Sequence, residues 1–327
     1  MILIVTNKID AHSDIIIQKL HDKEIEFYRF NTEDYPLKYN INVSQTNRKK
    51  ELTLTTPAHG AIDLTRVDSI WYRRPEDSKI DPVIKDKKLV EFAQNESKKT
   101  LMWLWDILED KFWVNHPRNN IPASSKLRQN EFAKKSGVRI PDSLITNESK
   151  KAKEFLRNYE AVATKPISGG FIKRGNKFKY IYTNVITPEN AGNIKLVKYC
   201  PTLLQEYIPK KFELRITVVG NDIFACKIES QKSEKAKYDW RRYDDDNVPH
   251  TSFELPYRIK RFCFNIVNHF NLNFGAIDII VTPDNDYVFL ELNPNGQWGW
   301  IESLTGIPIS EAVIKTLTEK IKTSSVK

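Results

Sequence analysis

Residues 274–297, FGAIDIIVTPDNDYVFLELNPNGQ, constrain this chain most tightly. Two apolar runs flank Pro283, Asp284, Asn285 and Asp286, a turn signal that predicts a β-hairpin. Centring the turn between Asp284 and Asn285 pairs Val281 with Val288, Ile279 with Leu290, and Ile277 with Leu292. That is one apolar face. The other face sets Asp278 opposite Glu291, and Asn293 follows two residues later on the same side. Directly opposed carboxylates repel, and a divalent cation between them removes the conflict. Such an oxygen set suits Mg²⁺, which takes few protein ligands and completes its shell with phosphates. A solvated pair on an exposed hairpin is the other reading, but the strands are apolar enough to be buried.

The chain has 327 residues, room for two or three domains and a sizeable core. Charged residues are 28% and hydrophobic residues 40%, a globular balance. No apolar run approaches the roughly 18 residues of a membrane span. MILIVT meets Asn7, Lys8 and Asp10 at once, so it reads as a buried strand and not a signal peptide. Cys200, Cys226 and Cys263 have neither disulfide nor metal spacing, which fits a reducing cytoplasm. The six His are scattered and form no zinc pattern. The net charge of +9 is spread along the chain without a nucleic-acid recognition motif, so acidic ligands, a nucleotide and a carboxylate-rich substrate, are the sharper reading.

The pattern along the chain is α/β. Residues 1–120 alternate strands (ILIVT, IEFYRF, SIWYRRP) with helices over 15–23 and 90–108. The loop VNHPRNNIPASS leads to a helix over 126–136, closed by Gly137, and to another over 150–158. AVATKP, the Gly169-Gly170 turn, strand-like KFKYIYTNVIT and a polar helix over 188–196 complete a section over 121–203. TLLQEYI at 202–208 leads into the section over 204–327, which holds ELRITVVG, IFACKIES, the hairpin and a helix near 308–322, with 237–247 expected as a mobile loop.

Lys126, Lys165, the run 205–208, Glu213, Arg215, Asp278, Glu291 and Asn293 follow one another in an order that resembles the ATP-grasp ligases over residues 115–310. WYRRP, DWRRYD at 239–244 and ELNPNGQWGWIE are most similar to the graspetide synthetases, microviridin-type maturases that close side-chain macrocycles on a ribosomal precursor. The resemblance implies an N-terminal pre-ATP-grasp domain, a small central domain and a C-terminal mixed-sheet domain, with ATP and Mg²⁺ as cofactors. It implies that Lys126 and Lys165 meet ATP phosphates as point cations, and that Gly169 and Gly170 bring backbone N–H groups to phosphate. Glu206, Tyr207 and Ile208 would form the interdomain hinge against adenine, and Glu213 would take a ribose hydroxyl. Arg215, Lys227 and Arg241 would surround the γ-phosphate and the acceptor carboxylate, for which a guanidinium offers bidentate contact. Glu189, Asn190 and Asn193 would bind the leader peptide.

Each residue has a plainer reading: surface lysines, an ordinary Gly turn, strand packing at Glu213, a solvated charge run at Arg241 and Arg242, a solvated helix face at 188–196. Arg73 and Arg74 contact substrate or cap the first domain. The implied reaction is carboxylate activation: an Asp or Glu of the precursor is phosphorylated, then attacked by a Ser or Thr hydroxyl to give an ester, or by a Lys amine to give an amide. A ligase that adds amino acids to a carboxylate, and a non-catalytic ATP-binding module, remain the competing readings. The resemblance also suggests a homodimer.

Overall fold

The computed structural model describes residues 1–168, 170–174, 177–242, 244 and 246–324. Gly169 therefore lies outside the described residues.

Ile2–Thr6 is buried at every position because the sheet it joins is covered on both faces. That sheet is parallel, in the order Phe27–Asn31, Ile2–Thr6, Ser69–Tyr72, Phe112–Val114. The helix Lys87–Ile107 covers one face with Leu101, Leu104 and Trp105. It begins ahead of the expected 90–108 because the Asp86 side chain accepts from the Lys88 and Leu89 N–H groups, an N-cap. Helix Ala11–Asp22 covers the other face, and its Ile16 and Leu20 share a core with Val313 and Leu317 of the C-terminal helix Ile309–Ser324. An antiparallel side sheet, Asn40–Gln45, Lys50–Thr56 and Gly60–Asp63, was not expected from the sequence. Only Leu52, Leu54 and Thr56 of its middle strand turn inward.

The central sheet is antiparallel, ordered Asn184–Ile186, Val162–Lys165, Thr202–Glu206, Ser143–Thr146. Helix Ser149–Arg157 and the 3₁₀ segment Pro188–Tyr199 pack a small core of Ala152, Val162, Ile194, Val197 and Leu204. The expected helix over 188–196 is thus a 3₁₀ segment, and KFKYIYTNVIT divides into strands Lys177–Tyr180 and Asn184–Ile186.

The C-terminal sheet is antiparallel: His250–Ser252, Asp222–Ile228, Phe212–Val219, Phe274–Val281, Tyr287–Asn293. One face packs Leu214, Ile216, Ile277, Ile279 and Leu292 against helix Tyr257–His269, whose Ile259, Phe262, Cys263, Ile266 and Val267 form an apolar stripe. The other face carries Glu213 and Arg215, opposite Ile280 and Asp278.

The hairpin forms with one correction. Ile277 meets Leu292 and Asp278 meets Glu291 as expected, but Ile279 meets Phe289, and Val281 meets Tyr287. The connection is odd in length: Thr282 N–H donates to the Asp286 carbonyl at 2.9 Å, and Asn285 sits at φ 64°. Asn tolerates that left-handed conformation. Leu290 is the extra residue, a β-bulge that restores the register before Glu291.

Candidate active site

A cleft of about 800 Å³ opens between the central and C-terminal sheets. Arg74 of the N-terminal domain, Lys165 of the central sheet, Gly170 beyond it, and the 206–208 connection line it together with Glu213, Arg215, Arg241, Asp278, Glu291 and Asn293.

The floor is an ionic cluster set by register. Arg215 lies across from Asp278 and donates from Nη1 to both carboxylate oxygens at 2.9 Å; its Nη2 donates to the Gln297 carbonyl at 3.1 Å. Glu291 receives Lys126 from the first turn of helix Lys126–Lys135 and Lys165, at 3.3 Å, from the end of its strand. Asn293 Nδ2 reaches Glu291 Oε1 at 3.3 Å and Asp278 Oδ2 at 3.5 Å. The two acids therefore do not face each other unneutralised. Burial opposes ionisation of Glu291, yet Lys165 and Lys126 hold its carboxyl well below the usual range. Burial lifts Asp278, and Arg215 counters it. Burial lowers Lys165, and Glu291 counters that in turn.

Gly296 belongs to this floor for a steric reason. A Cβ there would lie 2.3 Å from Ala276 Cβ and 2.8 Å from Arg215 Nη2.

Beside the floor is an apolar lobe of Ile208, Ile280, Val288 and Leu290. The Glu206 and Tyr207 N–H groups are spent on Asp142 and Ala161 carbonyls. The Ile208 N–H has no backbone partner among the described residues. Glu213 is buried; its Oε1 takes Lys210 and Ser230, while Oε2 is buried with no partner among the described residues. Burial raises its pKa, with Lys210 acting against it. A buried acceptor left open at the edge of a polar cleft suits a ligand hydroxyl.

Arg241 joins the cleft, held bidentately by Asp239 (Nε–Oδ1 2.8 Å, Nη2–Oδ2 2.6 Å). Asp239, within the stretch expected as a mobile loop, also accepts from the Thr183 N–H of the central domain at 2.8 Å. Lys227 is not brought in. It pairs across from Leu214, on the opposite face from Arg215, and its Nζ lies 3.1 Å from Glu229 and 4.9 Å from the Phe212 ring centre. Strand parity explains this: 215 pairs with 226, so 227 points the other way. Arg73 is buried behind the loop and donates to the Asn295 carbonyl, whereas Arg74 reaches the cleft. Arg242 turns to the central domain: its Nη2 donates to the Thr183 carbonyl at 3.5 Å, and its guanidinium lies 5.7 Å from the Tyr182 ring centre.

Glu189, Asn190 and Asn193 are exposed on the 3₁₀ segment. Asn190 Oδ1 accepts from the Thr187 N–H at 2.9 Å in a capping box, so its side chain is committed locally. Sequence reasoning missed Lys210 and Asp239 as partners of site residues. Lys210 lies three residues before Glu213, and Asp239 two before Arg241.

Two carboxylates and one amide on adjoining strand positions fit Mg²⁺, which needs few protein oxygens. Among the described residues no group of three or more His, Cys, Asp or Glu side chains offers a denser metal cage.

Two family models match the chain: the MvdD pre-ATP grasp domain over residues 1–120 and the RimK-like ATP-grasp domain over residues 123–317. Among solved structures it is similar to a RiPP-associated ATP-grasp ligase of Chryseobacterium gregarium in complex with ADP and a leader and core peptide. The two are 32% identical over 98% of this chain and 96% of that one, with a TM-score of 0.87. The macrocyclase MdnC of Microcystis aeruginosa MRC, bound with precursor peptide MdnA, is 30% identical over 98% and 99% of the two chains, with a TM-score of 0.86. MdnB of the same organism is 29% identical over 97% and 98%, with a TM-score of 0.80. None of the curated proteins compared with the chain matches it. The chain belongs to the ATP-grasp family, and within it to the RiPP-associated ATP-grasp ligases.

Proposed function

We propose that this ligase matures a ribosomally made precursor peptide by ATP-dependent macrocyclisation. The observation that carries the reading is the cleft floor, where Asp278 and Glu291 meet Arg215, Lys126 and Lys165 beside the open Glu213 oxygen. A carboxylate oxygen of a precursor Asp or Glu attacks the γ-phosphorus of ATP and ADP leaves. A Ser or Thr hydroxyl then attacks the acyl carbon, its proton is lost, and phosphate departs. Lactone closure is preferred on likeness to the ester-forming branch, with Lys amide closure as the lesser option. The protein offers no nucleophile; it positions the reactants and stabilises charge.

In this reading Lys126 and Lys165 meet phosphate, Gly169 and Gly170 approach it, Ile208 N–H with Glu206 and Tyr207 holds adenine, and Glu213 Oε2 accepts a ribose hydroxyl. Arg215 and Arg241 face the transferred group and the acceptor, and Lys227 drops out. Asp278, Glu291 and Asn293 would hold Mg²⁺, which neutralises phosphate charge when bound. The leader is assigned to Glu189 and Asn193 on the central section, 121–203, between working units over 1–120 and 204–327. The family resemblance supports a homodimer, and the free cysteines support a cytoplasmic setting.

The test is mass spectrometry on a Thr-, Ser-, Asp- and Glu-rich precursor with a leader. Loss of one water per ring with ADP release is expected, and mild alkali should reopen esters but not amides. AMP as product overturns the acyl-phosphate route, and a mass gain of one amino acid supports the amino-acid ligase instead.

A further inference from the structure

His12 lies at the start of helix Ala11–Asp22, outside the cleft lining, yet it touches the loop that builds the cleft floor. Its Nε2 accepts two backbone N–H groups, from Trp298 at 3.1 Å and Gly299 at 3.0 Å. The Trp298 ring stands edge-on to the imidazole, with centroids 5.0 Å apart. Two donors converging on Nε2 leave no room for a proton there, so the ring proton sits on Nδ1, which faces Asp10 Oδ1 at 3.6 Å. Asp10 is itself fixed by Thr6 and Ser13 hydroxyls at 2.7 and 2.6 Å. The loop so gripped includes Asn295, whose carbonyl takes Arg73, and Gln297, whose carbonyl takes Arg215 at 3.1 Å. Segment 294–299 thus hangs between the N-terminal domain on one side and Arg215 on the other.

We propose that neutral His12 is a positioning residue: it latches segment 294–299 to the N-terminal domain, so that its protonation unseats the loop, disturbs Arg215 and slows turnover in acid. A proton on Nε2 would set a donor against two donors. The charged groups that act on the ring are Asp10 on its own segment, which faces it, and Arg73 and Arg74 from just past the neighbouring strand. From the 298–299 side it meets the two N–H groups and the indole ring. Burial lowers the pKa of His12, Asp10 opposes this, and Arg73 and Arg74 add to it. The contact is therefore complete above the ordinary His range, near about 6.5, and is lost as pH falls.

The proposal rests on the ligase reading and is tested by pH profiles of precursor turnover for the wild type, His12→Gln and His12→Phe. Gln presents Oε1 at about the reach of Nε2 but does not titrate. It should keep kcat within about threefold at neutral pH and flatten the acid limb, which in the wild type falls about tenfold per pH unit. Phe should lower kcat about tenfold or more, with the KM for ATP little changed. A wild-type kcat in His12→Phe, or an unchanged acid limb in His12→Gln, overturns the latch. Nitrogen NMR of the wild-type ring decides independently, even if the Phe variant does not fold. The Nδ1–H tautomer and a depressed titration are expected, and the Nε2–H tautomer overturns the proposal. A wild type that processes no precursor would defeat the ligase reading while leaving this tautomer measurement standing.

Discussion

Asp278 and Glu291 on the cleft floor are held by Arg215, Lys126 and Lys165, cations delivered from another strand, a helix start and a separate sheet. Glu189 and Asn190, on the outer segment of the central domain, are held by their own turn, through Thr187 and Val185. Three elements must assemble on the hairpin before the floor exists, whereas the outer segment rests on its own turn and a small core. The contrast teaches where tight positioning is built into this fold. In the proposed reading, chemistry sits where charges are buried and neutralised across long sequence separations, and removing one partner leaves another uncompensated. Peptide recognition is assigned to a surface whose side chains cost little to move.

The comparison breaks first at the floor. Asp278→Asn or Glu291→Gln should lower ATP-dependent turnover by about a thousandfold or more, because charge stabilisation in phosphoryl transfer is lost. Circular dichroism should show the fold retained. Wild-type ADP release in either variant would remove these acids from the chemistry.

Lys165→Ala comes next, and should weaken ATP binding by about ten- to a hundredfold, the scale of one charge-assisted contact. Lys165→Arg should rescue poorly, since a planar fork does not replace a point cation. Unchanged calorimetric affinity in Lys165→Ala would place the phosphates elsewhere.

Glu213→Gln is a finer probe. The wild type should discriminate against ATP analogues lacking a ribose hydroxyl by about tenfold, and the variant should lose most of that preference. Equal discrimination in both would return Glu213 to a packing role beside Lys210.

The smallest effects belong to the outer segment. Replacing Glu189 and Asn193 together with Ala should weaken leader binding about fivefold by fluorescence anisotropy, with ATP affinity unchanged. Asn190→Ala should instead cost about 1 kcal/mol of stability, the value of a cap, and leave leader affinity alone. A leader-binding loss in Asn190→Ala alone would mean that the capping box and the docking surface are one device.

The floor was legible because strand pairing carries sequence spacing into space. Asp278 and Glu291 could be paired on paper, and Arg215 shares the face of Glu213 two residues away. The same parity, applied across the next turn, would have excluded Lys227, since Arg215 faces Cys226. The Ile259, Phe262, Cys263, Ile266, Val267 stripe also carries a helix signal that the reading passed over. The side sheet over residues 40–63 was harder. Two of its three strands have few inward apolar residues, so periodicity says little there. Contacts such as Lys126 with Glu291 and His12 with Gly299 join residues far apart in the chain, and nothing local announces them.

The bulge at Leu290 has a consequence beyond register. A regularly alternating strand is amphiphilic across its thickness, with one greasy side and one wet side. Here the extra residue lets Leu290, packed with Ile208, Ile280 and Val288, adjoin Glu291 in the same cleft. The strand therefore becomes amphiphilic along its length: oily at one end, charged at the other, with the change made in a single residue step. An elongated guest with an aromatic head and a polyanionic tail can lie on such a surface in only one direction, so one inserted residue gives the cleft its polarity.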